Sequence, residues 1–367
     1  MHAAKRIQTT AFWEEIAIIA LAISFALLIG GVFVVISGHD PLRAYLALAK
    51  GAFWGWYNFG ETLVYATPLI LTGLAIALAY RCGLFNIGAE GQLIVALVSS
   101  AWIGTWPGVP TGLHAVLTLL GGMAAGAVWG AIPGLLKAKT GAHEVINTIM
   151  LNYLALYLSH YLVTKPLIAP PGVAPVTRTI ARGAMLPQFL PPSRANLGLA
   201  VALLACLGVY WLLWRTTWGY EIRATGLNQE AARYGGIKVA RTIVLAMALS
   251  GGLAGLAGAV VIQGVQHKFF DLFAFPGYGF DGIAVALLGR NHPFGVIFGA
   301  LLFGALSNGA LQMQSAAGIP KEIIGVVQGT IILFVATEQA FRWFVRARGR
   351  RRGYSATKEV EKIGASV

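Results

Sequence analysis

Charge is what this chain has least of. Asp, Glu, Lys and Arg make up 11% of its 367 residues, whereas a soluble globular domain carries about 25%. That scarcity excludes an ordinary water-solvated domain. Cysteine is nearly absent too, and Cys82 and Cys206 are too few for a disulfide framework and carry no redox implication. The seven histidines include no H-x-x-x-H pair, so no metal site is expected. No Gly-Lys dipeptide occurs, hence no G-x-x-x-x-G-K-[ST] loop to cradle phosphates, and the chain is not expected to hydrolyse ATP or hold a cofactor of its own. A membrane enzyme would want His, Asp or Ser clustered on one membrane face, and no such cluster is visible.

What is present is long apolar sequence. Hydrophobic residues reach 57%, and Ile16 to Ile36 runs 21 residues without a charge, where a bilayer core needs roughly 20 residues of helix. Leu197 to Trp214, Thr242 to Gln266 and Phe294 to Pro320 are equally free of charge. The expectation is an all-α polytopic membrane protein with about ten spans, near 15–36, 60–80, 91–104, 112–136, 145–163, 197–214, 242–264, 273–289, 294–311 and 323–341. Lys5 and Arg6 precede the first run, but it exceeds a signal-peptide h-region of 7–15 residues and no A-x-A-like site closes it, so it reads as a retained span.

The net charge of +13 would suggest nucleic acid in a soluble protein; here the positive-inside bias explains it, and no nucleic-acid partner is expected. With the N-terminus inside, nineteen Lys and Arg fall in cytoplasmic segments and eight outside, which predicts both termini in the cytoplasm. Residues 1–346 form the membrane domain and 347–367 a basic cytoplasmic tail. Thr164 to Asn196 holds seven of the fifteen prolines and reads as an irregular extracytoplasmic excursion. Arg215 to Arg241 is the longest charged loop between spans.

Two segments are too broken to span simply. Residues 81–104 contain Gly83, Gly88 and Gly91; residues 273–289 contain Pro276, Gly277, Gly279 and Gly282. Phe85-Asn86 followed by Val95-Ala96-Leu97 is loosely matched by Phe280-Asp281 followed by Val285-Ala286-Leu287. The two run in opposite directions, as an inverted repeat with broken helices predicts.

Polar residues inside spans are costly unless they are paired or wet. Asn86, Glu90 and Gln92 have two readings: hydrogen bonding to a passing neutral solute, or a clamp holding the break. If helical, Asn86 and Glu90 share a face and Gln92 points elsewhere; Arg81 is a candidate partner for Glu90. Glu144, Thr148 and Asn152 form a polar stripe that either lines a cavity or packs on polar neighbours, with the deeper Asn152 the better pathway candidate. Asp281 contacts solute or acts as an N-cap acid for a half-helix at Gly282 to Leu288. Asn308 and Gln312 lie four apart on the ninth span. Phe269, Phe270, Phe273, Phe275, Tyr278 and Phe280 either stack on a base or mark an interface. The pairs Gly251/Gly255 and Ala254/Gly258 predict close helix packing.

Within the charged loop, Asn228 is a candidate N-cap for a short helix that Gly235-Gly236 ends. It is either a connector lying on headgroups or a segment that inserts into a partner. RATGLNQEAARYGGI followed by SGGLAGLAGA resembles the coupling region of permease subunits of ATP-binding-cassette importers, with Glu230, Ala231, Ala232 and Gly235 at the spacing of the EAA-type motif. GLFNIGAEGQ (Gly83 to Gln92) and GAHEVINTIMLNYLALYL (Gly141 to Leu158) resemble, more narrowly, permeases for nucleosides and simple sugars, relatives of the branched-chain amino-acid permeases. The similarity covers most of residues 60–340, though His143 stands where such permeases usually have Asn.

The resemblance implies a multi-pass permease of a bacterial inner membrane that pairs with a similar second permease, as a hetero- or homodimer. It docks two cytoplasmic ATPase subunits, which bind ATP and Mg, through Gly226, Leu227, Asn228, Glu230, Ala231, Ala232, Gly235 and Gly236. Solute arrives from an extracytoplasmic binding protein and passes by alternating access, a nucleoside first and a simple sugar next. The contrasting expectation is a stand-alone secondary transporter or channel, which would need an ion gradient and would leave the short loop helix without a purpose.

Overall fold

The computed structural model describes residues 21, 23–320 and 322–336. The tail 347–367, Lys5, Arg6 and the outer parts of the first and last expected spans lie outside them. Among the described residues, thirteen α-helices follow one another: α1 Ile23–Ile36, α2 Pro41–Phe53, α3 Gly55–Arg81, α4 Ala89–Gly104, α5 Leu113–Thr140, α6 Glu144–Thr164, α7 Gly198–Arg215, α8 Thr217–Leu227, α9 Gln229–Tyr234, α10 Val239–Val261, α11 Tyr278–Leu288, α12 Pro293–Ala317 and α13 Glu322–Ala336. Among the described residues, β pairing is confined to two isolated bridges, Val176–Phe270 and Gln188–Asn196. The all-α expectation holds, and each of the ten expected spans overlaps a helix among the described residues.

Two helices were not expected. In α2, the Asp40 side chain caps the first turn by accepting from the Leu42 N–H at 2.9 Å, and Pro41 supplies a preset φ at the start. Arg43 and Lys50 break its apolar run, which hid it from hydropathy. The other is α8, which fills the first half of the charged loop with the Thr216 side chain capping the Gly219 N–H. The eighth span is also shorter than expected, because α11 begins only at Tyr278.

The bundle is built around α3. Of its most apolar 18-residue window, 89% is buried, against 22% for α5 and 28% for α7; α3 therefore forms the core while α5 and α7 turn apolar faces outward, as lipid requires. Lipid tails are as apolar as leucine, so helices associate through close contact. Gly122, Gly126 and Gly130 of α5 meet Gly251 and Gly255 of α10, where a Cβ on Gly126 would fall 2.7 Å from the Gly255 Cα. Gly258 abuts the Leu93 carbonyl of α4 in the same way. The Gly251/Gly255 and Ala254/Gly258 pairs thus pack as expected.

The packing has an internal correspondence. Helix α3 touches α10, α11 and α12, and α10 touches α3, α4 and α5. Exchanging α3, α4, α5 and α6 for α10, α11, α12 and α13 maps the α4–α5, α4–α6 and α5–α6 contacts onto α11–α12, α11–α13 and α12–α13, all of which exist.

Residues 165–197 are irregular apart from a 3-10 turn at Arg182–Ala184, yet they are tied down. Ala181 N–H donates to the Gly104 carbonyl, Ile180 N–H to His267, and Arg194 pairs with buried Glu61 at 2.6 Å. Hydrogen bonds to that carboxylate hold the Arg194 guanidinium above its ordinary pKa. Gln263, in a π-turn at Ile262–Gln266 that ends α10, donates to the Ala115 and Ala184 carbonyls and bolts the excursion to the bundle.

Candidate functional site

Two short helices begin inside the bundle. Gly83 and Gly277 take φ of +73° and +91°, conformations that suit glycine and halt the preceding chain. Helix α4 then starts at Ala89 and α11 at Tyr278. At about 1.5 Å per residue, the eleven residues of α11 cover roughly half of a bilayer core about 30 Å thick. Each start leaves N–H groups without helical partners, and a buried, unmet N–H is expensive.

The expected pathway residues supply those partners. Glu90 of α4 is fully buried, and its carboxylate accepts from Gly277 N–H at 2.6 Å and Gly279 N–H at 2.5 Å. It is an anion seated on the N-terminus of α11, where the helix dipole favours negative charge. The suggested Glu90–Arg81 pair is not formed: Arg81 Nε donates to the Asn291 carbonyl instead. Asn152 of α6 does the corresponding work for α4. Its Oδ1 accepts from Gly91 N–H at 2.8 Å and its Nδ2 donates to the Ile87 carbonyl at 3.0 Å.

Asn86 precedes α4 rather than lying within it, so the shared face with Glu90 is not realised. Asn86 and Gln92 exchange amide hydrogen bonds at 3.0 and 3.2 Å. Asn86 also donates to Ser250 Oγ, and Ser250 donates to the Ala75 carbonyl, joining α4, α10 and α3. The α6 stripe packs inward: Lys137 pairs with Glu144 at 2.5 Å, and Thr148 lies against Gly88. On the other side of the bundle, Asn308 donates to the carbonyls of Gly51 and Asn58 and to Thr62 Oγ1. Asn86, Glu90, Gln92, Asn152 and Asn308 are all buried and bonded within the chain.

Asp281 differs. The N-cap position of α11 belongs to Gly277, and Asp281 sits in the first helical turn without a side-chain hydrogen bond among the described residues, so the N-cap expectation is corrected. Beside it, Phe280 is exposed and meets Phe275 edge-on at 5.7 Å; Phe275 meets Tyr153 of α6 at 5.2 Å. The aromatic set is divided by the fold, with Phe269 fully buried and Phe273 almost fully exposed. Sequence spacing gave no sign of Tyr153, which reaches the cluster from α6.

The loop helix forms as its residues predict. Asn228 Oδ1 accepts from the Glu230 and Ala231 N–H groups at 2.9 and 3.0 Å, α9 spans six residues, and Gly235 and Gly236 close it. Ala232 is buried while Leu227 and Tyr234 are exposed. Upstream, Gly226 is pressed against the backbone that ends α3: a Cβ there would fall 2.9 Å from the Cys82 carbonyl carbon. The turn leading to Asn86 and Glu90 therefore rests directly on the segment carrying α9.

Comparison with known proteins identifies the family. The chain is 43% identical over 335 residues to the guanosine ABC transporter permease protein NupP of Bacillus subtilis, covering 91% of this chain and 96% of that one. It is 38% identical to the nucleoside ABC transporter permease protein NupB of Lactococcus lactis, over 89% and 92% of the two chains. It is also 34% identical to the glucose ABC transporter permease protein TsgB13 of Haloferax volcanii, over 95% and 94%. Residues 58–336 match the family described as the branched-chain amino acid transport system permease component. The chain belongs to that family and is a membrane-embedded permease subunit of an ABC importer.

Proposed function

We propose that this permease passes nucleosides inward, with a second permease beside it, two ATPase subunits beneath α9 and a binding protein above the residue 165–197 excursion. The observation that carries the substrate reading is the partly exposed group at the start of α11, with Phe280 and Tyr153 exposed and Asp281 and Phe275 half-buried. A carboxylate at that depth does not face lipid without a large cost, so Asp281 looks onto the second permease or a watery path between the two. Phe280, Phe275 and Tyr153 offer π-faces to a base, and Asp281 offers an acceptor to ribose hydroxyls or base N–H groups. The near end-to-end likeness to permeases named for guanosine and nucleosides supports the same substrate class.

The two interlocked sets of helices are read as inverted halves, with both termini cytoplasmic by the charge count. Closure of the ATPases would push α9. The push passes through Gly226 to the Arg81–Gly83 turn, and from there to the capped starts of α4 and α11. Asn86, Glu90, Gln92, Asn152 and Asn308 serve that motion as fixed joints, while Asp281 meets the solute.

Uptake of labelled guanosine, uridine and glucose into proteoliposomes holding the whole importer tests this. Nucleoside uptake should require ATP inside, and Asp281→Asn or Phe280→Ala should weaken apparent affinity without lowering the thermal stability of the complex. Uptake driven by an ion gradient without ATP, or of glucose alone, would overturn it.

A further inference from the structure

At the end of α3 opposite Glu61, two cations share one ring. The guanidinium carbon of Arg81 lies 5.4 Å from the centroid of the Trp214 indole, and that of Arg223 lies 6.0 Å away. Trp214 is itself held in an aromatic box, with Tyr210 stacked at 5.2 Å and His292 at 5.1 Å. Three helices and the α11–α12 turn converge to build this arrangement. Among the described residues, neither arginine has a carboxylate within ion-pair distance. Arg81 spends its Nε on the Asn291 carbonyl, and the Arg223 Nε is buried with no partner.

Two like charges held together without a counter-ion are repulsive, so the arrangement calls for an anion. Guanidinium forks match phosphate oxygens bidentately. Exposed Trp211 lies on the helix of Trp214, and exposed Trp218 and Tyr220 lie on the helix of Arg223; exposed Trp and Tyr are the residues that collect at headgroup depth. We propose that Arg81 and Arg223 clamp the phosphate of an anionic phospholipid of the cytoplasmic leaflet, which would lock the ends of α3 and α8 on either side of the Gly226 contact. The leaflet rests on the orientation proposed above; the phosphate clamp does not.

The delipidated full chain in detergent would be titrated with phosphatidylglycerol, phosphatidylcholine and inorganic phosphate, with bound species read by native mass spectrometry. Wild type should retain phosphatidylglycerol at least tenfold better than phosphatidylcholine, and Arg81→Gln with Arg223→Gln should erase the preference. Arg81→Lys with Arg223→Lys, which keeps the charge and loses the fork, should fall between and controls for folding. An unchanged preference in the glutamine variant overturns the site. Equal retention of inorganic phosphate overturns the lipid as its source, and phosphatidylglycerol preference that vanishes once an ATPase subunit is bound reassigns the arginines to that partner. The leaflet is tested separately by labelling Trp218→Cys in sealed cells with an impermeant thiol reagent, the native cysteines being buried. Labelling from outside would reverse the orientation and leave the clamp standing.

Discussion

Glu90→Gln is the most telling single change in this chain. The carboxylate holds two N–H groups of α11 at 2.6 and 2.5 Å in a fully buried pocket. In the variant, one oxygen still accepts, while an NH2 group replaces the other and faces a backbone donor. A lost hydrogen bond to a charged group is worth about 1.5–3 kcal/mol, and each newly unpaired buried donor costs about 1–3 kcal/mol. Loss of negative charge at the helix start adds about 0.3–1 kcal/mol. Against these stands relief from burying a charge, several kcal/mol for an ion without partners and less for one already met by two donors. The balance is a destabilisation of about 2 kcal/mol, a fall in melting temperature of roughly 2–3 °C for a chain of 367 residues. The assay pairs thermal melting of the purified importer with nucleoside uptake. Uptake should fall with stability, and apparent substrate affinity in the protein that remains folded should be unchanged. A Glu90→Gln variant that melts like wild type yet loses affinity would refute the cap and make Glu90 a solute ligand.

Other consequences are equally direct. Asn228→Ala removes the cap of a six-residue helix that cannot nucleate alone, costing about 1 kcal/mol; membrane insertion should be unaffected while coupled ATPase stimulation drops, as measured in proteoliposomes. Reversing charge with Glu230→Arg breaks only an exposed pair at 3.3 Å with Arg233, worth less than about 1 kcal/mol. Stability should hold and transport should vanish; full-rate transport would remove α9 from the coupling path. Gly126→Val drives a branched side chain into the α10 backbone, and the folded yield in detergent should collapse, whereas Gly208→Val, where nothing lies within 4 Å, should be tolerated.

Much of the architecture was legible because apolar runs register the medium directly: a helix facing lipid or other helices has no reason to carry charge. Asn228 and Gly235-Gly236 were legible for a local reason, since a cap acts on its neighbours in sequence. Helices α2 and α8 were not, because Arg43, Lys50, Glu221 and Arg223 make them resemble loops and their stability comes from packing on α12 and α7. Partners were the least legible feature. Glu90 meets residues 187 and 189 positions away, and nearby Arg81 looked more natural by charge alone. The spacing of Asn86 and Gln92 separated them on an ideal helix, but the chain turns at Gly83 and Gly88, and the break brings the amides together.

The polar residues in the spans follow from the two short helices. A helix that begins within the membrane exposes N–H groups where no water is available, so each start must be met by an acceptor from another element. Asn152 of α6 meets α4, and Glu90 of α4 meets α11. The caps form a chain of dependence: α11 is held by α4, α4 by α6, and the turn before α4 rests on Gly226 of α8. Movement of any one start without its acceptor would strand buried donors, at about 1–3 kcal/mol each. Rigid displacement of the whole set costs far less. A push at α9 is therefore expected to move α4, α6 and α11 together, and to widen or close the path proposed at Asp281 without disturbing the amides behind it.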